Sequence, residues 1–174
     1  MKSVENQIFY TLSRFADLNV GQTYTAGKDP NPLFKEFDKF AFPEPVLVCD
    51  AASIINEFSL YARERIFEDV RLEKFPYLPS RMTCLFIMSE ENLAAKMVYW
   101  NKELGNATTL YKISCTGKIH SADGSISRHH GGHFGLVRQE AFAYWSGYDQ
   151  CSEHQELLFS GSFKVLEVLG SLAT

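Results

Sequence analysis

The chain has 174 residues, 45% of them hydrophobic and 22% charged, the make-up of a single globular domain (1–174); this excludes an intrinsically disordered chain. Seventeen Lys+Arg against twenty-one Asp+Glu leave a net charge of −4, which excludes a generally basic nucleic-acid binder and leaves room only for a local basic cleft. The opening residues 1–7 carry one basic side chain and no apolar signal core, and no segment approaches the roughly 20 apolar residues that span a bilayer, so a cytoplasmic protein without a membrane partner is expected.

The first element in chain order is a strand over Gln7–Arg14, rich in aromatic and β-branched residues, broken afterwards by Gly21-Gln22. From Ala26 to Pro45, Pro30, Pro32, Pro43 and Pro45 alternate with Phe34, Phe37, Phe40 and Phe42, which predicts irregular backbone pinned to a core. Asp50 is placed to cap a long helix running to about Leu72, with Ile54, Ile55, Phe58, Tyr61, Ala62 and Ile66 on its buried face. Pro76 and Pro79 close it, and Met82–Met88 follows as a buried strand. Ser89 opens a second helix reaching towards Gly105. Thr108–Ser114 and Lys118–His120 read as two strands, Ser121–Gly135 as a polar loop, and Leu136–Trp145 as a helix stopped at Gly147. Glu156–Ser160 and Phe163–Leu169 read as two strands around a tight turn at Gly161. Strands at both ends and helices between them predict an α+β plan with a mixed or antiparallel sheet.

Several chemistries are unsupported. There is no G-x-G-x-x-G, no phosphate-binding G-x-x-x-x-G-K-[ST], and no G-x-S-x-G nucleophile turn. Cys49, Cys84, Cys115 and Cys151 form no C-x-x-C pair and are expected to be reduced, mostly buried thiols. Arg63, Arg65, Arg71, Lys74 and Arg81 are matched by Glu64, Glu68, Asp69 and Glu73, the pattern of a solvated helix face with i,i+4 pairs. His129, His130 and His133, with Cys151 and His154, are better read as a polar loop than as a metal site, because adjacent histidines are hard to aim at one ion.

Three separated segments carry the functional expectation. Phe9–Arg14 alternates polar with apolar residues and ends in an arginine. Phe75–Arg81 delivers Ser80 and Arg81 at the mouth of a buried strand. Tyr144-Trp145-Ser-Gly147 leads into Glu156, which starts an apolar run. Singly, each has a structural explanation: a strand-end cation, a serine after Pro79 capping a turn, an edge-strand charge. Together they resemble the ADP-ribosyltransferase superfamily, in particular a small bacterial branch. That resemblance implies an ADP-ribosyltransferase-like fold, a split mixed or antiparallel sheet around a central helical segment. It also implies a toxin-like transferase that moves ADP-ribose from NAD, as co-substrate, to a protein or nucleic-acid acceptor, with no metal and with an antitoxin or inhibitor as a further partner. Carried over by position, Glu156 is the catalytic carboxylate, Arg14 (or Thr11, where other branches have His) the first-strand residue, and Ser80 the middle-strand residue. Tyr10, Ser13, Arg81 and Phe86 complete the NAD-binding set, with Tyr10 or Phe86 stacking on a ring. Two departures stand out: Thr11 replaces an imidazole, and His154 stands where arginine-modifying members carry Gln or Glu. The alternative is a catalytically inactive binding module of the same fold.

Loss of nicotinamide leaves an oxocarbenium-like ribose, a state that a carboxylate stabilises more than it stabilises NAD. Glu156→Gln is therefore expected to abolish nicotinamide release with the fold and NAD binding nearly intact. Arg14→Lys is expected to weaken NAD binding more than stability, because lysine lacks the guanidinium fork.

Overall fold

In a computed structural model the described residues are 1–13, 18–32, 34, 48–94, 96–97, 108–126, 134–147 and 154–171. They form β1 (Lys2–Ser13), β2 (Thr23–Ala26), α1 (Val48–Lys74), β3 (Leu85–Ile87), a 3-10 turn (Glu90–Asn92), β4 (Thr109–Asp123), α2 (Phe134–Ser146) and β5 (Gln155–Ser171). The plan is α+β, and every strand pairing is antiparallel.

Period-two alternation decides how the sheet is buried. Ile113, Cys115, Ile119, Leu157, Phe159, Phe163 and Val165 share one face and pack with Val4, Phe9 and Ile87. His120, Ala122, Glu156 and Leu158 point the other way, where Phe67, Val70, Tyr144 and Trp145 of the two helices cover them. The strand order is β1-β4-β5-β2, with β3 also on β5. The outer edge of β5 is divided: Leu157–Phe159 pair with β3, and residues 161–164 pair with β2. Tyr10 and Met88 exchange both backbone hydrogen bonds (2.9 and 2.7 Å), which joins β3 back to β1. The ring β1–β4–β5–β3 thus curls around the first apolar cluster. A bulge between Val4 and Gln7, with Asn6 at φ 50°, bends β1 into that curvature.

The sequence reads two pairs of separate strands, the second pair around a turn, where the structure has two continuous strands. β4 runs unbroken through Ser114–Lys118 and on to Asp123, so the first three residues of the expected 121–135 loop are strand and its last two, Phe134 and Gly135, are already helix; residues 127–133 lie outside the described residues. β5 passes straight through Gly161, which pairs with Gly117. These glycines permit a close crossing rather than a turn. A Cβ on Gly117 would sit 2.3 Å from the Ser160 carbonyl oxygen and 2.8 Å from the Gly161 Cα. Gly161, at φ +150°, faces the same wall from the other side. Gly117→Ala is expected to cost about 1–3 kcal/mol, the range for overpacking, read as a lower urea midpoint at unchanged slope.

The long helix also departs from its expected pattern. α1 is already helical at Val48, so Asp50 lies within it, and it extends to Lys74. Ile55 and Phe58, assigned to the buried face, are 66% and 67% exposed. The face turned inward is Glu64, Phe67, Glu68, Val70 and Arg71. Of the charges read as a solvated surface, Glu64, Glu68, Arg71 and Arg81 are internal and satisfied by one another, whereas Arg65, Asp69, Glu73 and Lys74 are exposed. β1 starts at Lys2 rather than Gln7, and the strand expected over Met82–Met88 shrinks to Leu85–Ile87 because residues 81–83 turn. Phe34 is buried, as expected of a phenylalanine pinned to a core, but the backbone at Pro32 and Phe34 is helical rather than irregular. Phe37, Phe40, Phe42 and Gly105 lie outside the described residues.

Candidate functional site

Arg81 organises the most heavily buried polar group among the described residues. Its position is set by a turn after Pro79. The Ser80 carbonyl accepts from the amides of Thr83 (3.3 Å) and Cys84 (2.8 Å), and Asn31 Nδ2 donates to the Arg81 carbonyl at 2.8 Å. This aims the guanidinium, only 7% exposed, between α1, α2 and the first residues of β5. Its Nε and Nη2 grip Glu64 at 2.8 and 3.3 Å. Nη1 donates to the Tyr144 hydroxyl at 2.6 Å and to Glu156 Oε2. Tyr144 in turn donates to Glu156 Oε2 at 2.8 Å. The rings of Tyr144, Phe86 and Phe67 lie 4.9, 5.4 and 5.9 Å from the guanidinium carbon, so aromatic faces supply the remaining surroundings of the charge.

Electrostatics follows from this enclosure. Burial opposes the charge of Arg81, but Glu156, Glu64 and Tyr144 outweigh it and hold the guanidinium well above its ordinary range. Burial likewise penalises ionised Glu64, yet Arg81 and Arg63 together bring its carboxyl below the ordinary value. Burial, helped by Glu156, lifts the Tyr144 phenol well above its ordinary value despite Arg81, so it stays a neutral donor. Cys84 and Cys115 are buried free thiols, both raised by burial, Cys115 to about 12. Neither has the depressed pKa of a reactive thiolate.

Glu156 has two further neighbours. Gly124 lies against its carboxylate: a Cβ there would be 2.8 Å from both Cγ and Oε1. Lys96, 1% exposed, donates to the carbonyl of the adjoining Gln155. Burial lowers the Lys96 ammonium, and nearby Glu156 opposes that shift.

The predicted site residues divide into groups. Glu156, Arg81 and Phe86 are brought together. Thr11, fully buried, is linked to them through its hydroxyl, which donates to the Phe86 carbonyl at 2.9 Å. Alternation puts the Tyr10 and Thr11 side chains on opposite sides of β1. Tyr10 packs with Met88 and Leu110, its hydroxyl 3.5 Å from Glu90 Oε1. Ser13 ends β1, paired with Thr109. Ser80 is turned away from Glu156: its hydroxyl donates to Glu68 at 2.8 Å, and Glu68 is held by both arms of Arg71. Arg14, His129, His130, His133 and Cys151 lie outside the described residues. Glu64, Tyr144 and Lys96 were not assigned from sequence. Glu64 was hidden in a run of alternating charges, and Lys96 in an otherwise apolar helical pattern. Tyr144 belonged to the Tyr144–Gly147 segment singled out from sequence but was given no role there, and only the fold shows its hydroxyl reaching Glu156.

Residues 41–171, most of the chain and all of this polar group, match a family described as "Protein of unknown function (DUF2441)". The chain belongs to the DUF2441 family. No curated protein matches it. β1 and β2 precede the part of the chain that the DUF2441 profile covers.

Next to the group lies a buried histidine. His120 stacks on Trp145, ring centroids 5.8 Å apart, and among the described residues its Nε2 has no partner. Burial pushes its pKa down to about 4. Because the folded value lies below the unfolded one, its contribution to stability is complete above about pH 6.5 and is lost as pH falls towards 4. The wild type is expected to lose about 2–3 kcal/mol between pH 7 and 4, and His120→Phe to flatten that slope in urea unfolding.

Proposed function

We propose that this DUF2441 protein transfers ADP-ribose from NAD to a protein or nucleic-acid acceptor, releasing nicotinamide, with Glu156 as the catalytic carboxylate. The observation that carries the reading is the placement of Glu156. It stands at the start of β5, is 8% exposed, and is fixed by Arg81 and Tyr144 instead of lying on an open face. An oriented carboxylate in a water-poor setting is what an oxocarbenium-like ribose requires, since its charge acts there with little reorganisation. Both hydrogen bonds to it from described residues fall on Oε2. In this reading Oε1, on the Gly124 side, accepts the ribose 2′-hydroxyl.

The bond from ribose C1′ to the pyridinium nitrogen breaks, and its electron pair leaves with neutral nicotinamide. The acceptor then bonds to C1′ and gives up a proton. Arg81 and Tyr144 act on Glu156 and position it. Phe86, whose ring lies 5.4 Å from the Arg81 guanidinium carbon, packs on the same cation. An inhibitor protein is the partner that such an activity calls for in its own cell.

A second reading is the inactive module of the same fold. It is favoured by the engagement of Glu156 Oε2 by two donors and by His154 two residues before Glu156. Incubation with NAD and a cell extract separates the two. Nicotinamide release supports the transferase, saturable NAD binding without release supports the module, and absence of both overturns the NAD reading.

A further inference from the structure

A second polar site lies along the same face of β5. Glu156, Leu158 and Ser160 point alike, so Ser160 stands four residues, about 13 Å, along the strand from Glu156. Ser160 pairs with Lys118 of β4, and both line a cavity of about 520 Å³ whose wall includes Arg65, Tyr77, Ser80 and Thr83. That volume suits a small organic ligand.

The charges of the cavity do not cancel. Glu68 and Arg71, also in the wall, neutralise each other in a two-armed pair, and Arg71 spends its remaining Nη1 on the carbonyls of Pro76 and Leu78. Arg65 and Lys118 are left: neither forms an ion pair with a carboxylate among the described residues, and the bond found for the Arg65 guanidinium is a 3.9 Å contact with Met82 sulfur. Two cations without a carboxylate partner among the described residues, around a hydroxyl-bearing hollow in a protein of net charge −4, make a local anion site. Tyr77, 63% exposed at the same wall, offers a free aromatic face.

We infer that this cavity binds a nucleoside mono- or diphosphate, its phosphate between Arg65 and Lys118 and its base against Tyr77. The site is separate from the Glu156 chemistry and does not depend on it. Arg65 and Lys118 are both exposed, so removing them leaves the buried core alone.

Calorimetric titration of the full chain with ADP tests the inference. ADP is also the adenosine diphosphate half of NAD, so the Arg65→Ala/Lys118→Ala double variant, which leaves Glu156 and its partners in place, is what assigns the binding to this cavity. Saturable binding is expected, weakening as salt is raised and about tenfold for each of Arg65→Ala and Lys118→Ala, the size of a lost charge-assisted hydrogen bond. Tyr77→Ala should weaken ADP while leaving inorganic phosphate unchanged, and adenosine alone should bind less tightly than ADP. Absence of ADP binding, or equal affinity in the Arg65→Ala/Lys118→Ala double variant, would overturn the site. Inorganic phosphate binding as tightly as ADP would overturn its assignment to a nucleotide.

Discussion

Arg81→Met is expected to destabilise the protein by about 3–5 kcal/mol, the largest effect of any single substitution considered. The guanidinium is the shared partner of Glu64, Glu156 and Tyr144, and methionine fills part of its volume while supplying no donor. Glu156 then loses its ion-pair partner in a buried setting, and among the described residues Glu64 is left with Arg63 alone. A typical domain has about 5–15 kcal/mol in total, so the variant should be close to unfolding at 37 °C. Equilibrium urea denaturation measures the loss. Adding Glu64→Gln and Glu156→Gln to the same chain should restore much of it, because a neutral cluster no longer holds unpaired charge. A single Arg81→Met variant as stable as the wild type would mean that the guanidinium is hydrated and the enclosure described above does not hold.

Glu156→Gln carries the second large effect, on activity. Losing an electrostatic partner aimed at the reacting sugar is expected to lower nicotinamide release about 10²–10³-fold. The contacts of Glu156 with Arg81 and Tyr144 add a stability cost that was not expected from the sequence. Glutamine keeps an acceptor for Tyr144 but removes the charge that faces Arg81, leaving Glu64 as the carboxylate on that guanidinium. A stability cost of about 1.5–3 kcal/mol should accompany the catalytic loss, the worth of a hydrogen bond to a charged group. Rates therefore have to be compared at a temperature where circular dichroism shows both proteins folded.

The α+β plan, the long helix and the principal strands were legible because alternation and three-to-four-residue spacing are local signals. What local reading missed has two physical sources. Gly161 looks like a tight turn in isolation, and only its pairing with Gly117 across β4 and β5 reveals a close strand crossing. The charges of α1 look solvated for a similar reason. Glu64 and Arg81 are 17 residues apart, Arg81 and Glu156 are 75 apart, and no periodicity reports on partners that meet through tertiary packing. The candidate site was half legible. Glu156, Arg81 and Phe86 were named from sequence and do meet, whereas Tyr144 and Glu64 became visible only when two helices were laid on the sheet. Ser80, one residue from Arg81, turns to Glu68 instead, a reminder that neighbours in a turn need not face the same group.

The most direct test sets Glu156→Gln beside Glu64→Gln in one assay of nicotinamide release from NAD. Each variant removes one of the two carboxylates on the same buried guanidinium, so both should lose comparable stability. In the proposed mechanism only Glu156 touches the ribose. Glu64→Gln is expected to stay within about tenfold of the wild-type rate, while Glu156→Gln falls at least 10²-fold. Equal rates in the two variants, whether both high or both abolished, would contradict a catalytic Glu156.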